Sequence, residues 1–427
     1  MNKKWDLIVA GGGLSGVSAA ITAAKKECKV LLIEKLGFLG GCATASLVTP
    51  MMNNCDTSKT PLNNGLYLEI LEKLMKTKDS AVHSNGNPGW FNPESMKFLL
   101  DDLCQENGVD ILFDTMLVGA KRDNEFIVSV NCMNKAGLQQ YEADFFIDAT
   151  GDADLATYAG VPFEAKEHQS LTLRFNMDNV NLYKFSQWLT DIEPEMLFSS
   201  IEYNDFETIL LTTAHTSENL GWKLRPYFNI AVRDGILKAE DAEYFQIFTI
   251  PGQKNAISFN CPRIYSPKPL DPLNPWDISY AYIQGRKQIK RLEKFCKTYL
   301  PGFEESYICQ VASSLGIRDS RRIEGVYKLT EEDILIGKKF KNSAAKSNYP
   351  IDIHGNNKSE NRLIELSKDN YYDIPIESLI PKGISNLMVV GKCISATFKA
   401  QSSARIQPNC IAMGESAGNY CAERIKN

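Results

Sequence analysis

The chain has 427 residues, 44% of them hydrophobic and 23% charged, with a formal net charge of −5. That length suits two or three cores of ordinary size, and the acidic balance argues against a general attraction to nucleic acid or anionic membrane. Eleven cysteines occur without one C-x-x-C pair. This argues against zinc ribbons, thioredoxin-type redox motifs and the usual iron–sulfur spacings, so no metal is expected, and scattered thiols fit a reducing cytoplasm.

Trp5 to Lys35 reads as strand, glycine turn, helix, strand and acid. Leu7, Ile8 and Val9 form the apolar run expected of a strand buried on both faces. Gly11, Gly13 and Gly16 spell G-x-G-x-x-G where a helix must begin, and Val17, Ala20, Ile21 and Ala24 recur on one helical face. Gly11 permits the tight turn, Gly13 lets backbone approach a pyrophosphate, and Gly16 lets helix and strand pack closely. The helix start offers free N–H groups and a positive dipole end to phosphate. Glu34, closing the second strand, is placed to accept from ribose hydroxyls. Together these predict a bound dinucleotide, NAD or FAD. The uncharged run from Leu7 to Ala24 could pass for a secretory signal, but Asp6 and three consecutive glycines break that pattern. No stretch offers a membrane span, so a soluble protein is expected.

After Glu34 comes KLGFLGGCATASLVTP, small residues suited to backbone pressed against a flat ligand. Gly65 to Met75 has helical periodicity, and Pro93 opens a second helix through Gln105, capped by Asn92. VDILF, TMLVGAK, FIVSVN and a strand through Ile147 read as a β-meander, whose end enters Asp148-Ala149-Thr150-Gly151-Asp152. From about 164 to 370 the βαβ rhythm is lost and aromatics accumulate, Phe175, Trp188, Trp222, Phe228, Phe245 and Trp276 among them. Within it Asp277 to Tyr299 is a long amphipathic helix, while polar Lys338 to Arg362 is predicted to be a mobile loop. Asn386 to Val390 is a buried strand entering Gly391, a small-residue stretch leads to Arg405, and Pro408 starts a last helix. The expected fold is therefore α/β. Residues 1–163 and 371–427 would form a discontinuous Rossmann-like domain with a central parallel sheet and meander, and 164–370 an inserted α+β substrate or cap domain.

GGGLSG with Glu34, GFLGGCATASLVTP, IDATGDADLA and NLMVVGKCISATFKAQSSARIQPNCIAMGESAG together resemble the FAD-dependent oxidoreductase family. That family belongs to the glutathione-reductase-type FAD fold, nearer its fumarate reductase side. QSLTLRFNM, PGFEESY and LGIRDSRRIEGVYKLTEEDIL are similar too, so the resemblance covers most of the chain. It implies FAD as cofactor. Gly11, Gly13, Leu14, Ser15 and Gly16 would hold the pyrophosphate, Glu34 the adenosine ribose, and Lys35 would flank the adenine end. Gly40, Gly41, Cys42, Ala43 and Thr44 would run along the pyrophosphate and flavin edge, and Leu117 would present backbone to adenine. Ala149, Gly151 and Asp152 match the A-T-G segment, and Gly391 the position near the ribityl phosphate. Pro408 and Asn409 would start a helix aimed at the flavin pyrimidine ring, its dipole favouring negative charge there. Many FAD proteins place an acid after that last glycine, whereas Lys392 stands here.

Beyond the cofactor, Arg318, Arg321 and Arg322 are the substrate-site candidates, since guanidinium forks suit a carboxylate. The alternative is ion pairing with Asp319, Glu324 and Glu331. Of the histidines His83, His168, His215 and His354, His168 opens the segment re-entering toward the flavin and with Arg174 could serve proton transfer. Cys42 could neighbour the flavin or link to it, with small-residue packing as the simpler reading. One dinucleotide fingerprint and no C-x-x-x-x-C argue against a disulfide reductase with its own NADPH domain. The leading expectation is a cytoplasmic oxidoreductase passing a hydride between a small organic molecule, carboxylates included, and flavin N5, with an external electron donor or acceptor left open. The alternatives are an FAD-dependent RNA-modifying protein, disfavoured by the charge, and a flavin-carrying electron-transfer subunit.

Overall fold

The computed structural model describes residues 4–203, 209–215, 221–355, 361–367 and 370–426. Strand β1 (Trp5–Ala10) lies centrally, parallel to β2 (Val30–Ile33) on one side and to β6 (Gly137–Asp148) on the other. Beyond β2 comes β3 (Asp110–Leu112), and the end of β6 pairs in parallel with β7 (Leu387–Val389) from the far end of the chain. Leu7 and Val9 enter one core, beneath helix α1 (Leu14–Lys25) and the last helix (Gln407–Lys426); Ile8 and Ala10 enter another on the opposite face. Burial on both faces is why β1 carries no apolar–polar alternation. Each such Leu, Ile or Val contributes about 1.5–3 kcal/mol.

The first half of β6 runs antiparallel to β5 (Phe126–Asn134), and β5 to β4 (Met116–Asp123). The meander therefore has these strands alone. VDILF, expected within it, is instead the parallel edge strand β3, because its partner is β2. Around the glycine motif the packing leaves no room for side chains. A Cβ on Gly16 would lie 1.9 Å from the Gly11 carbonyl oxygen, and one on Gly414 2.1 Å from that of Ser15. Those contacts let α1 lie against both the turn and the last helix, and Ser18 Oγ donates to Ile411 O at 2.8 Å across the same seam.

The second half of the structure is a six-stranded antiparallel sheet, ordered Ser199–Tyr203, Ile209–His215, Phe245–Thr249, Ile257–Phe259, Phe175–Asp178, Tyr307–Val311. The helix Pro275–Tyr299 packs on its core through Ala281, Ile289, Leu292 and Phe295. Most of the expected aromatics are core: Phe228 and Phe295 have ring centroids 4.2 Å apart, while Trp276 stands exposed. The expected mobile loop over 338–362 is corrected. Ser343–Ser347 pairs with Tyr372–Pro375, and Ile351–Ile353 with Arg362–Ile364; residues 356–360 of that stretch lie outside the described residues. Polar composition misleads there because small Ala344 and Ala345 are buried, and Ser416 Oγ of the last helix donates to Ala344 O. Ala344, Ala345 and Ile351 share a core with α1, so the chain rejoins the half built on the parallel sheet before residue 371. Among the described residues no helix is long and apolar enough to cross a membrane.

Candidate functional site

A cavity of about 1330 Å³, its open mouth included, lies beyond the C-terminal ends of the parallel strands. That is where an open α/β sheet places its ligand. Glu34, Lys35, Thr115 and Leu117 line one end, tied together by Thr115 N donating to Glu34 O at 3.0 Å. Gly12 N donates to Glu34 Oε2 at 2.6 Å and Leu36 N to Oε1 at 2.8 Å, so the carboxylate is clamped at the strand end. Burial pushes the Glu34 carboxyl up, and those two backbone donors oppose the shift.

The middle of the cavity is lined by Gly11, Gly13, Leu14, Ser15, Ala149, Gly151, Asp152, Gly391 and Lys392. Gly13 caps α1 without a side chain and no acid occupies the first turn, which leaves the first N–H groups to a ligand. Gly11 and Gly391 take φ of +104° and +89°, a conformation that favours glycine. Gly40, Gly41, Cys42 and Ala43 run alongside; a Cβ on Gly41 would come within 2.8 Å of Gly13 Cα. The unusual Lys392 does not face the cradle as a free charge. Its Nζ donates to Asp152 Oδ1 at 2.7 Å and to Gly151 O. Burial pushes the Asp152 carboxyl up, but Lys392 and the Ser320 hydroxyl outweigh it and hold it below the ordinary range; Lys392 is raised in turn by Asp152.

At the other end both halves of the chain meet. Ala45, Ser46, Leu315, Ile317, Arg405 and Gln407 line the cavity, joined by Ser46 Oγ donating to Leu315 O and Gln407 Nε2 to Val48 O. An uncapped helix N-terminus, side-chain-free glycines and a clamped acid fit an FAD's pyrophosphate and ribose, and Glu34, Gly11–Ser15 and Gly391 would hold it.

A sequence model of FAD dependent oxidoreductases matches residues 6–427. The chain belongs to the FAD dependent oxidoreductase family. This family assignment makes FAD its cofactor. Curated relatives include the mitochondrial dihydrolipoyl dehydrogenase of Schizosaccharomyces pombe, 31% identical over 186 residues, and the dihydrolipoamide dehydrogenase of Chaetomium thermophilum, 29% identical over 193. These alignments take in 42% and 41% of this chain and 34% of each relative, so the chain spans about a third of the length of the curated relatives it matches. A geranylgeranyl bacteriochlorophyll reductase-like protein from Thermoplasma acidophilum shares the fold, with a TM-score of 0.50 at 15% identity, over 100% of this chain and 80% of that one.

Against this family frame, most of the expected cofactor residues line the cavity. Gly16, Thr44, Pro408 and Asn409 do not appear in its wall. Gly16 serves the helix–turn packing, and Thr44 Oγ1 donates to Leu39 O at 2.6 Å. Asn409 turns into a buried network, accepting from Asn54 and Asn63 Nδ2 at 3.1 Å each. Exposed Cys42 lines the cavity with a free thiol.

The expected catalytic set is not brought together. His168 Nδ1 lies 3.3 Å from Asp319 Oδ2, whereas Arg174 is fully buried and donates to the carbonyls of Thr49 and Phe259. Burial pushes the Arg174 guanidinium down to about 10. Arg322 lies 3.8 Å from Glu164 and over the Phe398 ring, and Arg321 pairs with Asp154 at 2.8 Å. Arg318, next in sequence to cavity-lining Ile317, donates to Ser170 O at 2.6 Å, and Arg321 also donates to the carbonyl of cavity-lining Asp152. Sequence reading missed Arg405, Gln407 and Arg263 and set His354 aside. Arg405 carried a signal, since it closes the small-residue stretch that follows Gly391.

Proposed function

We propose that the protein passes a hydride between a small organic substrate and N5 of FAD, working in the cytoplasm. The observation that carries this reading is that one cavity holds the dinucleotide cradle and, at its far end, residues of both halves. Bound FAD supplies the hydride-accepting and hydride-donating atom. The chain's own residues do the rest. Glu34 and the α1 N-terminus anchor the cofactor, Leu315 and Ile317 exclude water, and Arg405 with Gln407 gives the substrate polar handles. The relatives being dehydrogenases supports hydride chemistry. Thiol–disulfide chemistry is not carried over, because the chain has no C-x-x-x-x-C. With a single dinucleotide fingerprint, the second electron-transfer partner is an external donor or acceptor.

The test is to reconstitute the pure protein with FAD and screen metabolites anaerobically for bleaching or reoxidation of the flavin band. Bleaching by a small molecule is expected. Failure to take up FAD, or a flavin that exchanges electrons only with a protein partner, sinks the reading.

A further inference from the structure

Three arginines gather where the cavity ends. Arg405 lines it, Arg318 follows cavity-lining Ile317, and Arg263 reaches the same place from the second sheet's side. Their contacts form one connected set. Arg263 Nη2 lies 2.7 Å from His354 Nδ1, His354 Nε2 lies 3.1 Å from Asp352 Oδ2, and Tyr349 donates its hydroxyl to the same oxygen at 2.9 Å. Arg405 Nη2 donates to the backbone oxygen of Asp352 at 3.3 Å. Arg318 donates to Ser170 O, and Ser170 N donates to His354 O.

The charges do not balance. A guanidinium on Nδ1 must donate, so His354 carries its proton on Nε2, gives it to Asp352 and is neutral. Among the described residues the one carboxylate in the set, Asp352, is thereby engaged by His354 and Tyr349. Among the described residues none of these three arginines forms a salt bridge, unlike Arg291, Arg321 and Arg322, which pair with Asp241, Asp154 and Glu164. Nε of Arg263 and Nε of Arg405 are buried without a hydrogen-bond partner. Each guanidinium has five N–H donors, yet Arg318 and Arg405 show one protein hydrogen bond apiece. Burial, then the neighbouring Arg405 and Arg263, push the Arg318 guanidinium down to about 9. Grouped, unpaired guanidiniums are costly unless an anion completes them.

We propose that Arg263, Arg318 and Arg405 form the substrate's anion site, and that the substrate is an organic carboxylate. Arg263 Cζ lies 4.0 Å from the Tyr244 ring centre, and its Nη1 and Nη2 rest on Asn361 Oδ1 and His354 Nδ1, which holds the guanidinium in place. His354 and Tyr349 hold the frame and are positioning residues. The inference rests on the hydride-transfer reading for the word substrate, but the anion site stands on the arginines alone.

The experiment uses FAD-loaded full-length protein and three probes, succinate, benzoate and inorganic phosphate, followed by calorimetry and by the flavin spectrum. Succinate or benzoate is expected to bind, raise the thermal midpoint and perturb the flavin band. Arg318→Met and Arg405→Met each weaken that binding at least 10-fold, as loss of a charged hydrogen bond implies. Arg233→Gln, at an exposed pair with Asp234, leaves it unchanged. Because three guanidiniums share one carboxylate among the described residues, Arg318→Met holds or raises the midpoint without added carboxylate; a large fall shows the arginine to be structurally paired and overturns the site. Phosphate binding more tightly than both carboxylates overturns the substrate class. Carboxylate binding without flavin bleaching by any carboxylate keeps the site and removes the hydride reading. Carboxylates bleaching wild type and Arg318→Met equally keeps that reading and removes the site.

Discussion

Gly13 and Gly16 sit three residues apart in one motif, but the structure gives them different work, and alanine separates the two. At Gly16 an added Cβ falls 1.9 Å from Gly11 O and 3.0 Å from Ala149 Cβ. The nearest atom is backbone and cannot swing aside, so α1 must move about 1 Å, the gap between that contact and the 3.0 Å that real Cβ atoms keep. Overpacking of this kind costs about 1–3 kcal/mol, and more where a helix has to shift. At Gly13 the Cβ meets only Gly41 Cα at 3.8 Å, and φ of −67° with ψ of 172° is open to any residue. Alanine in place of glycine at a helix cap costs under about 1 kcal/mol, so Gly13→Ala should fold normally. Its methyl, however, occupies cavity space where the backbone meets the pyrophosphate, and a loss of about 1.4 kcal/mol, tenfold in Kd, is the least expected. The assay pairs the thermal midpoint of FAD-free protein with an FAD titration followed by flavin fluorescence. Gly16→Ala should lower the midpoint, and Gly13→Ala should raise Kd alone. Wild-type FAD affinity in Gly13→Ala would refute the cradle, and a wild-type midpoint in Gly16→Ala would refute the close helix–turn contact.

Three further outcomes follow from the same geometry. Removing FAD should lower the thermal midpoint, because cofactor at 100 times its Kd adds about 2.7 kcal/mol to the folded state; equal midpoints with and without FAD would count against the site. Breaking the Lys392–Asp152 pair by Lys392→Met or Asp152→Asn should cost somewhat less than the roughly 3–5 kcal/mol of a fully buried pair, since Asp152 keeps a quarter of its side chain exposed. The double variant, measured by denaturant unfolding, should cost less than the two singles summed, and strict additivity would show the pair to be idle. His354 is held down to about 3 by burial and by Arg318, against its ordinary 6.5. The fold therefore binds fewer protons than the unfolded chain between those values, so this contribution is complete above pH 6.5 and is lost as pH falls toward 3. In unfolding profiles across that window His354→Gln should flatten the slope; an unchanged slope would mean the histidine titrates freely.

The opening strand, glycine turn and helix were legible because each depends on near neighbours. A strand buried on both faces reads as a continuous apolar run, and a helix reads from its spacing and caps, as Asn92 accepting from Glu94 N shows. The close of the sheet by β7 was legible for the same reason. What failed was pairing. VDILF has the composition of a meander strand, and only its partner β2 makes it a parallel edge. Ser343–Ser347 is polar and small, and becomes a buried strand only because Tyr372–Pro375 and the last helix cover it.

The same limit governs the arginines, and it is sharper there. In sequence Arg318, Arg321 and Arg322 are equivalent candidates, flanked by the same acids. Their difference is decided by carboxylates distant in the chain. Asp154 takes Arg321 and Glu164 approaches Arg322, whereas Asp319, beside Arg318 in sequence, accepts from Gln169 N and faces His168. Arg318 is left with a carbonyl. Arg321 and Arg322 thus have a carboxylate partner, whereas Arg318 has none among the described residues. Whether a given arginine has one depends on where the acids go in three dimensions. That is why Arg263 and Arg405, inconspicuous in sequence, join Arg318 at the cavity's end while Arg322 does not.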